Sequence, residues 1–176
     1  MSADAQWVRP TDTELDMFGL THIGRVRKEN QDHFMLCTVH PQVVVHGTSL
    51  PDAASLPLRG ERIATYMLVA DGVGSGSGGG EASRVALATI TQYVASSMRS
   101  YHSAGAASDT EFYQALTDAA LEAHTAVKKR QLLDPDAKMA TTLTLAVAGF
   151  PSLYATQLGD GRCDIYWQGQ RHHITR

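Results

Sequence analysis

The feature that most constrains this chain is the run Ile63-Ala64-Thr65-Tyr66-Met67-Leu68-Val69-Ala70, which stops at Asp71-Gly72 and is followed by a segment rich in glycine and serine up to Gly80. Branched and aromatic side chains in an unbroken run fit a buried strand, and the sequence predicts that this strand ends on a carboxylate. From Glu81 onward Ala82, Ala86, Ile90, Val94 and Met98 recur four apart, predicting an amphipathic helix that ends near Arg99 and docks one face on a core.

Other elements follow from similar patterns. Phe18 to Gly24 alternates weakly and His33 to Thr38 is apolar, so two short strands are expected around a polar turn at Val26 to Asp32. Between His40 and Arg62 the prolines and glycines predict an exposed loop, with Val43-Val44-Val45 as a possible strand inside it. Ser108-Asp109-Thr110-Glu111 fits a capping box for a second helix, whose face is Phe112, Leu116, Ala120, Ala123 and Val127 and whose stop is Asp134-Pro135. Ala140–Ala148, Leu153–Leu158 and Cys163–Trp167 are β-prone runs joined by turn chemistry suited to a meander. Strands, then two helices, then short strands argue for an α+β class with antiparallel sheets. Tyr66 and Trp167 are expected in the core.

Composition excludes several functions. The chain has 176 residues and a formal charge of −3, and its longest basic run is Lys128-Lys129-Arg130, so neither a nucleic-acid footprint nor a membrane-surface patch is expected. Cys37 and Cys163 are too few and too far apart for a disulfide framework, which suits buried thiols in a reducing cytoplasm. Met1 to Phe18 carries Asp4, Arg9, Asp12, Glu14 and Asp16 without an apolar core, unlike a secretory signal, and no run has transmembrane length. The eight histidines show no ligand pair on a helix and read as incidental.

Three clusters could carry chemistry. Arg27-Lys28-Glu29-Asn30-Gln31-Asp32 sets a guanidinium able to grip a phosphate five residues before a carboxylate. Asp71-Gly72 and Gly159-Asp160-Gly161-Arg162 each put an aspartate after a strand beside small residues. Taken singly, each is a turn; together, Asp32, Asp71 and Asp160 at strand ends are the hard oxygen donors from which a divalent-cation site is made. Gly72 to Gly80 lacks the Gly-Lys-Ser/Thr ending of a nucleotide-binding loop.

These motifs, in this order, resemble the metal-dependent protein phosphatases of type 2C, most closely the bacterial ones, over about Gly19 to Thr175. Gly24 to Asp32 resembles the family's Arg…Asn-Gln-Asp motif, and Val69 to Gly74 with Gly80 to Ser83 resembles its Asp-Gly motif. Met139-Ala140-Thr141-Thr142-Leu143 is similar to Met-Gly-Thr-Thr-Leu, Gly159-Asp160-Gly161-Arg162 is similar to Gly-Asp-Ser-Arg, and Ile174-Thr175 matches a closing Leu-Thr. The resemblance implies two antiparallel β-sheets packed as a sandwich with helices outside, residues 1–18 being an amino-terminal extension and 19–176 the amino-terminal portion of the domain. It implies phosphoserine/phosphothreonine hydrolysis on phosphorylated proteins, with two Mn²⁺ or Mg²⁺ ions held by Asp71, the Gly72 carbonyl and Asp32, a third, weaker ion at Asp160, and the phosphate on Arg27. Asp71 and Arg27 are then the catalytic pair, in a cytoplasmic enzyme of signal transduction.

The chain also departs from the family pattern. Gln31 stands where some members have glutamate, Val73 where animal members have a histidine, Gly161 replaces serine, Ala140 replaces glycine, and Glu81 sits one residue late. The family domain runs further, with two more metal-binding aspartates beyond the position of Arg176. This chain is therefore expected to lack the last strands of both sheets, and the alternative to an enzyme is a pseudophosphatase or non-catalytic fragment that binds phosphoproteins.

Overall fold

The computed structural model describes residues 8–74, 77–103 and 109–175, without the side chains of Ala53, 98–103 and Asp109. The expected α+β class is observed, as two antiparallel sheets plus helices. Its strands are β1 (Asp32–Val39), β2 (Ala64–Val73), β3 (Ala140–Thr141), β4 (Leu143–Gly149), β5 (Ser152–Leu158), β6 (Asp164–Trp167) and β7 (Gln170–His173). The helices α1 (Gly78–Ser103) and α2 (Asp109–Leu133) lie between β2 and β3 in the chain. The main sheet runs β1-β2-β4-β5 with β3 on the end of β2, and β6 pairs with β7 in a separate hairpin.

Side-chain alternation along β2 divides the sheet into two faces. Ala64, Tyr66, Leu68 and Ala70 pack with Leu143, Leu145 and Val147 of β4 against Ala86, Leu87 and Ile90 of α1 and Leu116, Ala119 and Ala123 of α2. Leu145, Val147 and Ile90 are fully buried there. The intervening residues, Thr65, Met67, Val69 and Asp71, take the other face, where Val69 is 52% exposed. Asp71 thus belongs to the face away from the helices, at one end of the sheet.

Several expectations are corrected. β2 does not stop at Asp71: it continues to Val73, because β3 offers Thr141 and Ala140 as partners to Gly72 and Val73. Phe18 to Gly24 is not a strand: it does not pair with the open edge of β1, and Phe18 and Leu20 stand exposed instead of packing on a sheet. Val43 to Val45 is likewise irregular, next to a single bridge between Gln42 and Arg59. The meander ends after β5, since β6 pairs with β7, and Trp167 is 52% exposed rather than in the core. α1 begins at Gly78 and runs to Ser103, beyond Arg99. Both cysteines are free and half-buried, with burial pushing their thiol pKa values up. The expected cap Ser108 and the side chain of Met98 lie outside the described residues. Among those residues no helix is long and apolar enough to cross a membrane.

Candidate metal and phosphate site

Register brings the first two aspartates together. Asp32 opens β1 and pairs directly with Asp71 of β2. Directly opposed residues share a face with Cβ atoms about 4.5–5.5 Å apart, and like charges so placed are unfavourable. The two carboxyl groups are close enough to act on each other electrostatically. The pKa of Asp71 is raised by partial withdrawal from water, by the neighbouring carboxyl group of Asp32, and by the charge of Asp160, while Arg27 acts in the opposite direction. Arg27, Asp32, Asp71 and Asp160, separated by as much as the whole length of the sheet in sequence, therefore share one electrostatic neighbourhood.

The backbone of Asp71 is held on both sides. Its N–H donates to Thr142 Oγ1 at 3.1 Å, and its carbonyl accepts from Thr142 N at 2.9 Å and Thr141 Oγ1 at 3.0 Å. The segment Met139 to Leu143 accordingly acts as a clamp on the aspartate. Asp32 is fixed by its N–H, which donates to Asn30 Oδ1 at 3.1 Å, while Asn30 Nδ2 donates to Thr21 Oγ1 at 2.8 Å.

The glycines have a steric reason where β1, β2 and α1 converge. Gly72 N–H donates to the Gln31 carbonyl at 3.2 Å. A Cβ on Gly72 would collide with the Gly79 backbone and stand 2.6 Å from the Gln31 carbonyl oxygen. A Cβ on Gly79 would stand 2.5 Å from Gln31 Oε1 and 2.8 Å from the Gly72 carbonyl carbon. Three backbones meet here with no room for side chains, which brings the Gly72 carbonyl and the start of α1 beside Asp32.

Two clefts open over the aspartate pair. One, of about 400 Å³, is lined by Arg27, Lys28, Asn30, Gln31, Asp32, Asp71 and Gly72, with His22 at its wall. The other, also about 400 Å³, has Asp32, Asp71, Thr142, Thr144, Asp160 and Arg162, again with His22. His22 was not singled out by the sequence, because no partner lies at ligand spacing; its Nδ1 accepts the Gly24 N–H at 2.9 Å and the residue lines both clefts. Ser83, which closes the Gly80 to Ser83 motif but was given no role from the sequence, is fully buried against Gln31. Glu81 takes no part: its carboxylate faces Arg84 and Arg130 at 2.8 Å each.

The donor set fits a hard divalent cation. Asp32, Asp71 and the Gly72 carbonyl are oxygen donors, and the mutual repulsion of the carboxylates, which helps raise the Asp71 pKa, is what a cation would neutralise. Among the described residues no three histidine, cysteine or acidic side chains gather closely enough to enclose an ion unaided.

The Protein phosphatase 2C family profile matches residues 43–175, well over half of the chain. The chain belongs to the protein phosphatase 2C family. In fold it is similar to the crystal structure of the Mycobacterium tuberculosis serine/threonine phosphatase PstP/Ppp, with a TM-score of 0.53 at 19% identity over 82% of this chain and 54% of that one. It is also similar to the catalytic domain of the serine/threonine phosphatase PstP in complex with two manganese ions, with a TM-score of 0.48 at 18% identity over 82% of this chain and 55% of that one. The chain spans about half the length of these solved structures. A search of curated proteins returned no match.

Proposed function

We propose that this chain carries the phosphate-gripping and part of the metal-binding apparatus of a metal-dependent phosphoserine/phosphothreonine protein phosphatase, with residues 1–18 an extension and 19–176 the amino-terminal portion of the catalytic domain. The observation that carries this reading is the meeting of Arg27, Asp32, Asp71 and Asp160 over two adjoining clefts. Asp32, Asp71 and the Gly72 carbonyl would hold Mn²⁺ or Mg²⁺, with Asp160 at a further, weaker site. Bound there, divalent ions supply Lewis acidity, making a water nucleophilic near neutral pH and neutralising phosphoryl oxygens.

The chain's own residues do the rest. Arg27 offers a planar pair of N–H donors to two phosphoryl oxygens, orienting the phosphate in the first cleft. The clamp of Thr141 and Thr142 keeps Asp71 from turning away when its charge is engaged. The open clefts suit a phosphorylated side chain on a protein surface, as expected for a cytoplasmic signalling enzyme.

The test is Mn²⁺-dependent hydrolysis of p-nitrophenyl phosphate and of a phosphothreonine peptide by the purified chain, with Asp71→Asn as control. Metal-dependent turnover abolished by that substitution supports the reading. Folded protein that binds the phosphopeptide without turnover moves it to a pseudophosphatase.

A further inference from the structure

The side chain of Ser83 is fully buried in the second turn of α1, yet it makes three polar contacts. Its Oγ lies 2.6 Å from the Gln31 carbonyl, 2.9 Å from His33 Nδ1 and 3.1 Å from the Gly80 carbonyl. A hydroxyl carries one proton, and the Gln31 carbonyl can only accept. The shortest contact therefore takes the Ser83 proton, and His33 Nδ1–H donates to Ser83 in return. The same Gln31 carbonyl also accepts the Gly72 N–H. One backbone oxygen thus ties together the residue before Asp32, the residue after Asp71 and, through Ser83, the helix that follows the glycine-rich segment.

We propose that Ser83 is a positioning residue, whose hydroxyl holds the Gln31 carbonyl so that Asp32 and the Asp71-Gly72 backbone keep the spacing a divalent cation needs. The functional half of this inference rests on the metal reading above; the structural half does not. Gly72 and Gly79 have no side chains to wedge the three backbones apart, so hydrogen bonds help to set their separation, and the buried Ser83 hydroxyl supplies one from the helix. Without it the Gln31 carbonyl loses its 2.6 Å bond from the helix, while the longer, 3.2 Å bond from Gly72 is retained. Removing Oγ also leaves His33 Nδ1–H and the Gly80 carbonyl without this partner, but changes side-chain volume by a single atom.

The experiment compares the 176-residue chain with Ser83→Ala and Ser83→Thr, which keeps the hydroxyl. Amide hydrogen exchange is followed by NMR in EDTA, and Mn²⁺ binding by calorimetry. Ser83→Ala is expected to speed exchange of the Gly72 amide roughly five- to tenfold, leaving the β4 amides of Leu145 and Val147 unchanged. It is expected to weaken Mn²⁺ binding by about tenfold or more, with Ser83→Thr restoring both. If Ser83→Ala does not fold, Ser83→Cys, of similar size but a weak donor, carries the same expectation. Unchanged Gly72 exchange overturns the proposal, and so does faster exchange with unaltered Mn²⁺ affinity. Should the parent chain take up no Mn²⁺, the metal reading fails, whereas selective loosening of Gly72 still supports Ser83 as the residue that positions this backbone.

Discussion

Asp32 and Asp71 stand directly opposite each other across β1 and β2, two carboxyl groups on the sheet face turned away from the helices. A fold selected for stability alone gains nothing from two facing acids. The pairing is accounted for by the cation site proposed above, and it leads to predictions that need no substrate.

In metal-free protein, Asp71→Asn should be stabilising. It removes a like-charge pair while keeping a hydrogen-bonding side chain, and a gain of about 0.2–1 kcal/mol is expected at neutral pH. Thermal unfolding in EDTA measures it, and a lower melting temperature would count against repulsion at this pair.

Thr142→Val should have the opposite effect. The buried Thr142 hydroxyl is the acceptor for the Asp71 N–H at 3.1 Å, and valine offers no acceptor in the same volume. A loss of about 1–3 kcal/mol is expected in urea unfolding, together with weaker Mn²⁺ uptake.

Glu81 provides a pH signature separate from the site. Its hydrogen bonds to Arg84 and then Arg130 lower its pKa from 4.5 to about 2 in the folded protein. A lowered folded-state pKa means the stabilisation is complete above pH 4.5 and disappears as the pH falls toward about 2. Because both partners face solvent, the contribution is about 0.5–1 kcal/mol. Glu81→Gln should be less stable than the parent by that amount at pH 7, with the two curves converging in acid.

Arg62→Ala should release the segment around Asp12. The Arg62 side chain, only 8% exposed, reaches Asp12 Oδ1 at 2.7 Å and the Pro10 carbonyl at 2.6 Å. Asp12 also lies 3.4 Å from Arg59 and from His40. Loss of these charged hydrogen bonds should cost about 1.5–3 kcal/mol locally, read as faster exchange of the Leu15 amide, which is bonded to the Asp12 carbonyl.

How much of this the sequence disclosed depended on whether a signal was local. The run from Ile63 and the four-residue spacing from Ala82 declared β2 and α1, because burial on one or both faces writes a period into the chain. The apolar segments Phe18 to Gly24 and Val43 to Val45 looked strand-like in sequence but join no sheet, and pairing is not written locally. The continuation of β2 through Asp71 to Val73 was hidden for the same reason, since it depends on Ala140 and Thr141 arriving from beyond both helices. Arg27, Asp32, Asp71, Gly72 and Asp160 stood out through motifs, and the fold brings them to one end of the sheet. His22 did not, and Ser83 stood inside a motif without a role, since a histidine in a turn and a serine in a helix acquire their roles only from contacts across the fold.

The most direct test of the central claim is calorimetric titration of Mn²⁺ into the metal-free chain, repeated for Asp32→Asn and Asp71→Asn with folding checked by circular dichroism. If the strand-paired aspartates are the core of a divalent-cation site, the parent takes up Mn²⁺ saturably and each substitution weakens that uptake by at least about tenfold. Folded parent protein with no saturable uptake, or variants that bind as well as the parent, would contradict the account.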